Sequence, residues 1–121
     1  MRPWYTLRWP GREWERRPFA PTDPGPQPWT TGGEMVLWSS RDQGAHWVRV
    51  RPLTRASRFN HTYARRPVHA HPDFYAFWAD GHTLAPSESR LYFTNRAGDA
   101  VWRLPERMSA EFQKPERLPS K

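Results

Sequence analysis

The chain has 121 residues, a net charge of +7, 14 prolines and no cysteine. The lack of cysteine excludes a disulfide framework and a thiolate metal site, and an aromatic content of 15% is too high for a disordered chain. We therefore predict an all-β fold with a core of large rings between short strands. No apolar stretch is long enough for a membrane helix, and the first 20 residues lack the apolar run of a signal peptide, so the localisation is undetermined.

Residues 1–32 form an aromatic and Pro-rich N-terminal segment. In its first part, Trp4, Leu7 and Trp9 lie among basic and polar residues. This pattern predicts one or two short strands joined by a glycine turn. Residues 20–33 hold four prolines and three glycines, so we expect a long loop or linker there.

Strand-like residues flank a turn motif of the form Ser-x-Asp-x-Gly-x-x-Trp, made by Ser40, Asp42, Gly44 and Trp47. The short carboxylate of Asp42 can accept hydrogen bonds from backbone N–H groups just ahead of it, and Ser40 can bond across the turn. Gly44 supplies the positive φ of a tight turn. The ring of Trp47 is expected to fold back over the turn. The motif predicts a β-hairpin, and its role is structural.

Beyond this hairpin we predict four further strands, over residues 61–68, 73–79, 89–94 and 100–104. The second of these is the clearest buried strand, and Asp80 and Gly81 are expected to close it. The last two strands flank a turn that contains Gly98. Residues 106–121 are charged and interrupted by proline, and we expect a short helical turn followed by a loose tail.

The turn glycines Gly44 and Gly98 are 54 residues apart, close to the ~40–50 residues of a propeller blade. The first turn resembles the Asp-box of the BNR repeats in sialidase-like β-propellers. A longer resemblance covers residues 33–105, which look like the C-terminal blades of BNR-repeat proteins, including relatives of polysaccharide lyases that act on uronate-containing polymers. The resemblance implies two to three antiparallel, blade-like sheets of a partial β-propeller. Because family members are several hundred residues long, the chain is interpreted as a fragment, a truncated product or a unit that assembles.

Three residues of the predicted strand at 61–68 are candidates for catalysis: His61, Tyr63 and Arg65. Residues two apart share a face of a regular strand, so we expect them to project together. Cleavage of a polyuronate by β-elimination needs a cation on the carboxylate, a base and an acid, which suit Arg65, His61 and Tyr63 respectively. Asn60 and Arg66 are the expected substrate-binding neighbours. The alternative is that Tyr63 packs in the core and that the arginines form a solvated edge.

Other groups of residues support weaker hypotheses. His69, His71 and His82 suggest zinc, but their spacing matches no known zinc pattern, so we expect no metal site and no cofactor. A sialidase site would need an arginine triad and a tyrosine nucleophile, and no spacing in the chain groups such residues. The repeat-region aromatics favour a core role over sugar stacking, whereas four tryptophans outside the repeat are freer to stack on a sugar: Trp4, Trp9, Trp14 and Trp29.

We therefore expect a partial BNR-repeat propeller of a carbohydrate-active family. It would bind acidic polysaccharide or another carbohydrate or, in a complete parent protein, cleave it as a polysaccharide lyase or glycoside hydrolase. The alternative is a non-catalytic module that binds polyanions or another protein. Nucleic acid is disfavoured because there is no recognisable motif and no Lys/Arg run longer than two, and no membrane contact is expected. Exposed sheet edges allow self-association.

Overall fold

The computed structural model describes the strand backbones at residues 4–8 and 15–19, and all of residues 33–82 and 84–119. The predicted all-β class is confirmed, since the described residues contain strands and no helix. The strands are β1 (Trp4–Arg8), β2 (Glu15–Phe19), β3 (Val36–Ser39), β4 (Val48–Pro52), β5 (Asn60–Arg65), β6 (Ala76–Gly81), β7 (Leu91–Thr94), β8 (Val101–Arg103) and β9 (Glu116–Arg117). The predicted Pro-rich loop, except for Gly33, and the tryptophans Trp9, Trp14 and Trp29 lie outside the described residues.

The strands pair only with their neighbours in sequence. β1 pairs with β2, β3 pairs with β4, and β5 to β9 form one five-stranded sheet in chain order. Every one of these ladders is antiparallel. Antiparallel neighbours need only short connections, which suits the turn residues that separate these strands.

The core lies on one face of the five-stranded sheet, which we call the inner face. Trp78 stands opposite Tyr92 in the register, and Thr94 stands opposite Val101. The side chains of Trp78, Tyr92 and Val101 are buried and form the central hydrophobic cluster. Partly buried residues from three other parts of the chain surround this cluster: Met35, Leu53 and Leu118.

The opposite, outer face carries a row of stacked aromatic rings. The rings of Phe93 and Trp102 are nearly parallel, with their centroids 5.1 Å apart. The centroid of the Phe74 ring lies 4.7 Å from that of Phe93 and 5.9 Å from that of Phe77. Phe74 and Phe77 keep 36% and 37% of their surface exposed. The outer face is therefore aromatic but only half covered.

The β3–β4 hairpin attaches to the five-stranded sheet through its base and its side. The backbone oxygen of Gly33 accepts a hydrogen bond from the N–H of His61 at 3.0 Å, which ties the segment before β3 to β5. A Cβ placed on Gly98 would lie 2.7 Å from Cδ2 of Leu37 in β3. The absence of a side chain at Gly98 thus lets the hairpin approach the β7–β8 turn closely.

Two predicted elements differ from the structure. The strand predicted at 73–79 begins only at Ala76, because Phe74 N–H donates to the carbonyl of His71 at 3.0 Å and closes a turn around Pro72. Asp80 and Gly81, which were expected to close this strand, are its last two residues.

The C-terminal tail is also different from the expectation of a helical turn. Glu116 and Arg117 form β9, which pairs with β8, and Leu118 N–H donates to the carbonyl of Val101 at 2.9 Å. Burial of Leu118 against the core favours the extended conformation, and the flanking Pro115 and Pro119 disfavour a helix.

Candidate functional site

The turn of the β3–β4 hairpin is held by its own polar side chains. Asp42 accepts a hydrogen bond at 2.8 Å from the backbone N–H of His46, and Ser40 Oγ accepts one at 2.8 Å from the N–H of Gly44. Gly44 has a φ of 90°, and the indole N–H of Trp47 donates to its carbonyl at 3.2 Å. The bonds from His46 and then Ser40 lower the pKa of Asp42. The polar side chains of this turn are thus used to hold the turn together, which is a structural role.

A cavity of about 260 Å³ lies beside the inner face and has a predominantly polar wall. The register places two pairs of cavity residues directly opposite each other in neighbouring strands: His61 opposite Asp80, and Tyr92 opposite Arg103. Arg90, directly before β7, completes this side of the cavity. One wall of the cavity therefore carries an imidazole, a carboxylate, a phenol and two guanidinium groups.

Asp80 is the hydrogen-bonding centre of this wall. Its Oδ2 accepts a bond at 2.8 Å from the Tyr92 hydroxyl, and its Oδ1 accepts one at 2.7 Å from the backbone N–H of Arg90. Burial, and next the bond to Asp80, raises the pKa of Tyr92 to about 12. The phenol therefore stays protonated near neutral pH, and Asp80 holds it in place.

His61 is buried and is bonded to the core. The indole N–H of Trp78 lies 2.9 Å from Nδ1 of His61, and because an indole N–H can only donate, Nδ1 must accept. Burial lowers the pKa of His61, so the ring is neutral near pH 7 with its proton on Nε2. A neutral ring in this tautomer is a donor at Nε2. The role of general base remains a prediction, and this bond argues against it.

The three predicted catalytic residues do not share a face. Tyr63 has a φ of 55°, and the register of β5 against β6 shifts between Thr62 and Arg65. This β-bulge adds one residue to β5, so Arg65 stands opposite Phe77 on the outer face while His61 stays on the inner face. The expectation that the three project together is therefore wrong.

The bulge leaves Tyr63 79% exposed, with the guanidinium of Arg65 at 5.6 Å from its ring centroid. Asn60 is 2% exposed, and its Oδ1 accepts the backbone N–H of Gly33 at 2.7 Å. The guanidinium of Arg66 lies 4.6 Å from the centroid of the Tyr75 ring. Asn60 thus ties β5 to the segment before β3. The guanidinium groups of Arg65 and Arg66 pack against aromatic rings.

Two of the three arginines that line the cavity, Arg90 and Arg103, are instead paired with carboxylates. Arg90 pairs with Glu106 at 3.1 Å, and Arg103 pairs with Glu116 of β9 at 2.5 Å. Neither Arg103 nor a polar role for Tyr92 could be predicted from the sequence, because alternation in β7 and β8 does not tell which face borders the cavity.

The positive charge of the chain is concentrated in one stretch, residues 43–72, which we call the basic segment. It contains six arginines and no Asp or Glu, so it carries +6 of the net +7, and the remaining residues hold 13 basic against 12 acidic groups. All six arginines are exposed: Arg49, Arg51, Arg55, Arg58, Arg65 and Arg66. The basic segment passes the cavity, where Arg58 and His61 line the wall.

Two of the three histidines considered for zinc, His71 and His82, take part in local hydrogen bonds. Nδ1 of His71 accepts the N–H of Asp73 at 3.1 Å, and Nδ1 of His82 accepts the N–H of Leu84 at 3.1 Å. Within residues 33–82 and 84–119, no three His, Cys, Asp or Glu side chains come together in a way that could hold a metal ion. The described part of the chain also contains no helix that could cross a membrane.

Comparison with known protein families found no matching family model, and comparisons with curated proteins and with solved structures found no significant match. Function is therefore inferred from three features of the chain itself: the turn of the β3–β4 hairpin, the basic segment and the polar cavity beside it.

Proposed function

We propose that the chain is a piece of an Asp-box β-propeller and that it binds acidic polysaccharide. Propeller blades are four-stranded antiparallel sheets in chain order, and β5 to β8 have this order. The β3–β4 hairpin would then supply the last two strands of the preceding blade. On this proposal the chain holds one blade and half of another.

The two Gly-containing turns support this assignment. Gly44 and Gly98 both have positive φ, 90° and 63°. In the first turn Asp42 accepts a backbone N–H four residues ahead. In the second, Oδ1 of Asn95 accepts the N–H of Ala100 at 3.3 Å. Each hairpin is thus closed by an Asx side chain and a left-handed glycine.

The observation that carries the binding proposal is the basic segment. Six exposed arginines without a single acid form a local charge of +6. A guanidinium makes bidentate hydrogen bonds with carboxylate and sulfate groups, which repeat along acidic polysaccharides. A polymer with regularly spaced anions can contact several of these arginines at once.

The polar cavity suits the hydroxyl groups of such a ligand. Its wall mixes donors, such as Arg90 and Arg103, with the carboxylates of Asp80 and Glu88, and sugar hydroxyls both donate and accept. Phe59 adds an apolar surface on the same wall. The cavity could therefore orient one sugar unit while the basic segment holds its anionic neighbours.

Binding of polygalacturonate to the full chain, measured by calorimetry at several salt concentrations, tests the proposal. We expect binding that weakens with salt and no binding of neutral dextran. Arg55→Glu in the basic segment should weaken it several-fold, whereas Arg107→Glu, exposed and outside the segment, changes the net charge equally and should have a small effect. No binding, or equal losses in both variants, would contradict a site on the basic segment.

The same assay separates the alternatives. Single-stranded DNA bound more tightly than polygalacturonate at equal salt would point to a nucleic-acid module instead. Ultraviolet absorbance of an unsaturated product would show lyase activity in this chain. Because His61 is held as a hydrogen-bond donor, we favour binding without cleavage.

A further inference from the structure

We infer that the cavity beside the inner face is one half of a longer groove, which takes a uronate-containing oligosaccharide of at least two sugar units. This inference rests on the proposed function. A second cavity of about 290 Å³ adjoins the first, and Arg90 and Arg103 line both. We call them the first and second subsites.

The combined volume has room for an extended ligand. Small-molecule sites usually enclose ~300–1,000 Å³, and each subsite alone, at about 260 and 290 Å³, falls just short of that range. The two together lie well inside it. A ligand that fills both must pass over the wall they share, which is made by the two guanidinium groups.

That shared wall is rigid and still able to bind an anion. Glu106 holds Arg90, and Glu116 holds Arg103, so neither guanidinium needs to be ordered when the ligand arrives. Each guanidinium has five N–H groups, more than these ion pairs use. The same two glutamates line the second subsite. The carboxylate of a sugar unit that lies over the shared wall would meet both arginines there.

The far side of the second subsite offers one more cation. Lys114 lines it next to Gln113, whose Oε1 accepts the backbone N–H of Ser109 at 3.0 Å and so fixes the loop that carries both. Lys114 is exposed and lines only the second subsite, as Arg58 lines only the first. The two residues therefore report on the two halves of the groove separately.

Calorimetry with galacturonic acid, its disaccharide and its tetrasaccharide tests the groove. We expect affinity to rise by about tenfold from the monosaccharide to the longer ligands. Lys114→Ala should weaken the tetrasaccharide several-fold and leave the monosaccharide unchanged, and Arg58→Ala should weaken both. Arg96→Ala, an exposed arginine that lines neither subsite, is the matched control, and thermal melts establish that each variant is folded.

The outcomes separate the two proposals. If no uronate of any length binds, the proposed function fails and the groove with it. If all lengths bind with equal affinity and Lys114→Ala has no effect, the groove is overturned while binding at the basic segment stands. A loss in Lys114→Ala that grows with ligand length would support the groove.

Discussion

The indole N–H of Trp78 donates to Nδ1 of His61 at 2.9 Å, which joins the most buried ring of the core to the wall of the cavity. The orientation and the tautomer of His61 are therefore set by the core. Any ligand in the cavity meets an imidazole that is already held in place.

Removal of this donor should destabilise the protein. Trp78→Phe keeps an aromatic ring but leaves Nδ1 of the buried His61 without its partner, and we expect a loss of about 1–3 kcal/mol in the free energy of unfolding. Urea denaturation measures the loss. Trp102→Phe makes the same replacement on the half-covered outer face, and a loss there as large as that for Trp78→Phe would speak against the hydrogen bond as the cause.

High pH should weaken the fold through Tyr92. The phenol has a pKa of about 12 in the folded chain against an ordinary value of 10.0. Between these values the unfolded state has lost a proton that the folded state keeps, so the free energy of unfolding falls as the pH rises. Urea midpoints at about pH 9 and about pH 11 should show this fall. It should be smaller in Tyr92→Phe and unchanged in Tyr63→Phe, where the ring is 79% exposed.

Gly98 should tolerate no side chain. Its φ of 63° is unfavourable for alanine, and an added Cβ would lie 2.7 Å from Leu37, so Gly98→Ala should cost at least about 1–2 kcal/mol. Gly81→Ala is the control, since its nearest neighbour, Ser87 Oγ, lies at 3.7 Å, and its effect should stay within about 0.5 kcal/mol. Equal urea midpoints for the two variants would show that the hairpin does not depend on the close approach.

The C-terminal strand should contribute to stability through Leu118. This side chain packs against the core cluster, and because it is only partly buried, Leu118→Ala should cost about 1–2 kcal/mol, below the ~2–5 kcal/mol of a fully buried leucine. Leu84→Ala removes the same atoms from a residue that is 77% exposed. Thermal melts that rank the two variants equally would contradict the docking of β9.

Local chemistry could be predicted from sequence, and long-range register could not. The turn bonds of Ser40 and Asp42 connect residues at most four apart, so their pattern is visible in the sequence. The bulge at Tyr63 carries no glycine to mark it, and it exists only in relation to β6. Arg65, which was predicted on the same face as His61, therefore lies on the opposite face.

Which residues meet in the cavity wall also depends on the register of the strands. Tyr92 and Arg103 meet because β7 and β8 pair at those positions, although they are eleven residues apart in sequence. The tail was missed for a similar reason, since a two-residue strand such as β9 has no periodicity and forms only against β8. The bulge in β5, the cavity wall and the strand β9 all depend on pairing with residues that are distant in sequence.

The bulge in β5 has a consequence for the shape of any polymer that the chain can hold. Arg58 borders the cavity on the inner side of the sheet, whereas Arg65 lies on the outer side. β5 is the first strand of the five-stranded sheet, so a polymer that touches both arginines must bend around that margin. On the proposed function, a stiff, rod-like polymer would engage one side at a time and a pliable one would engage both, so chain stiffness would be a basis for selection.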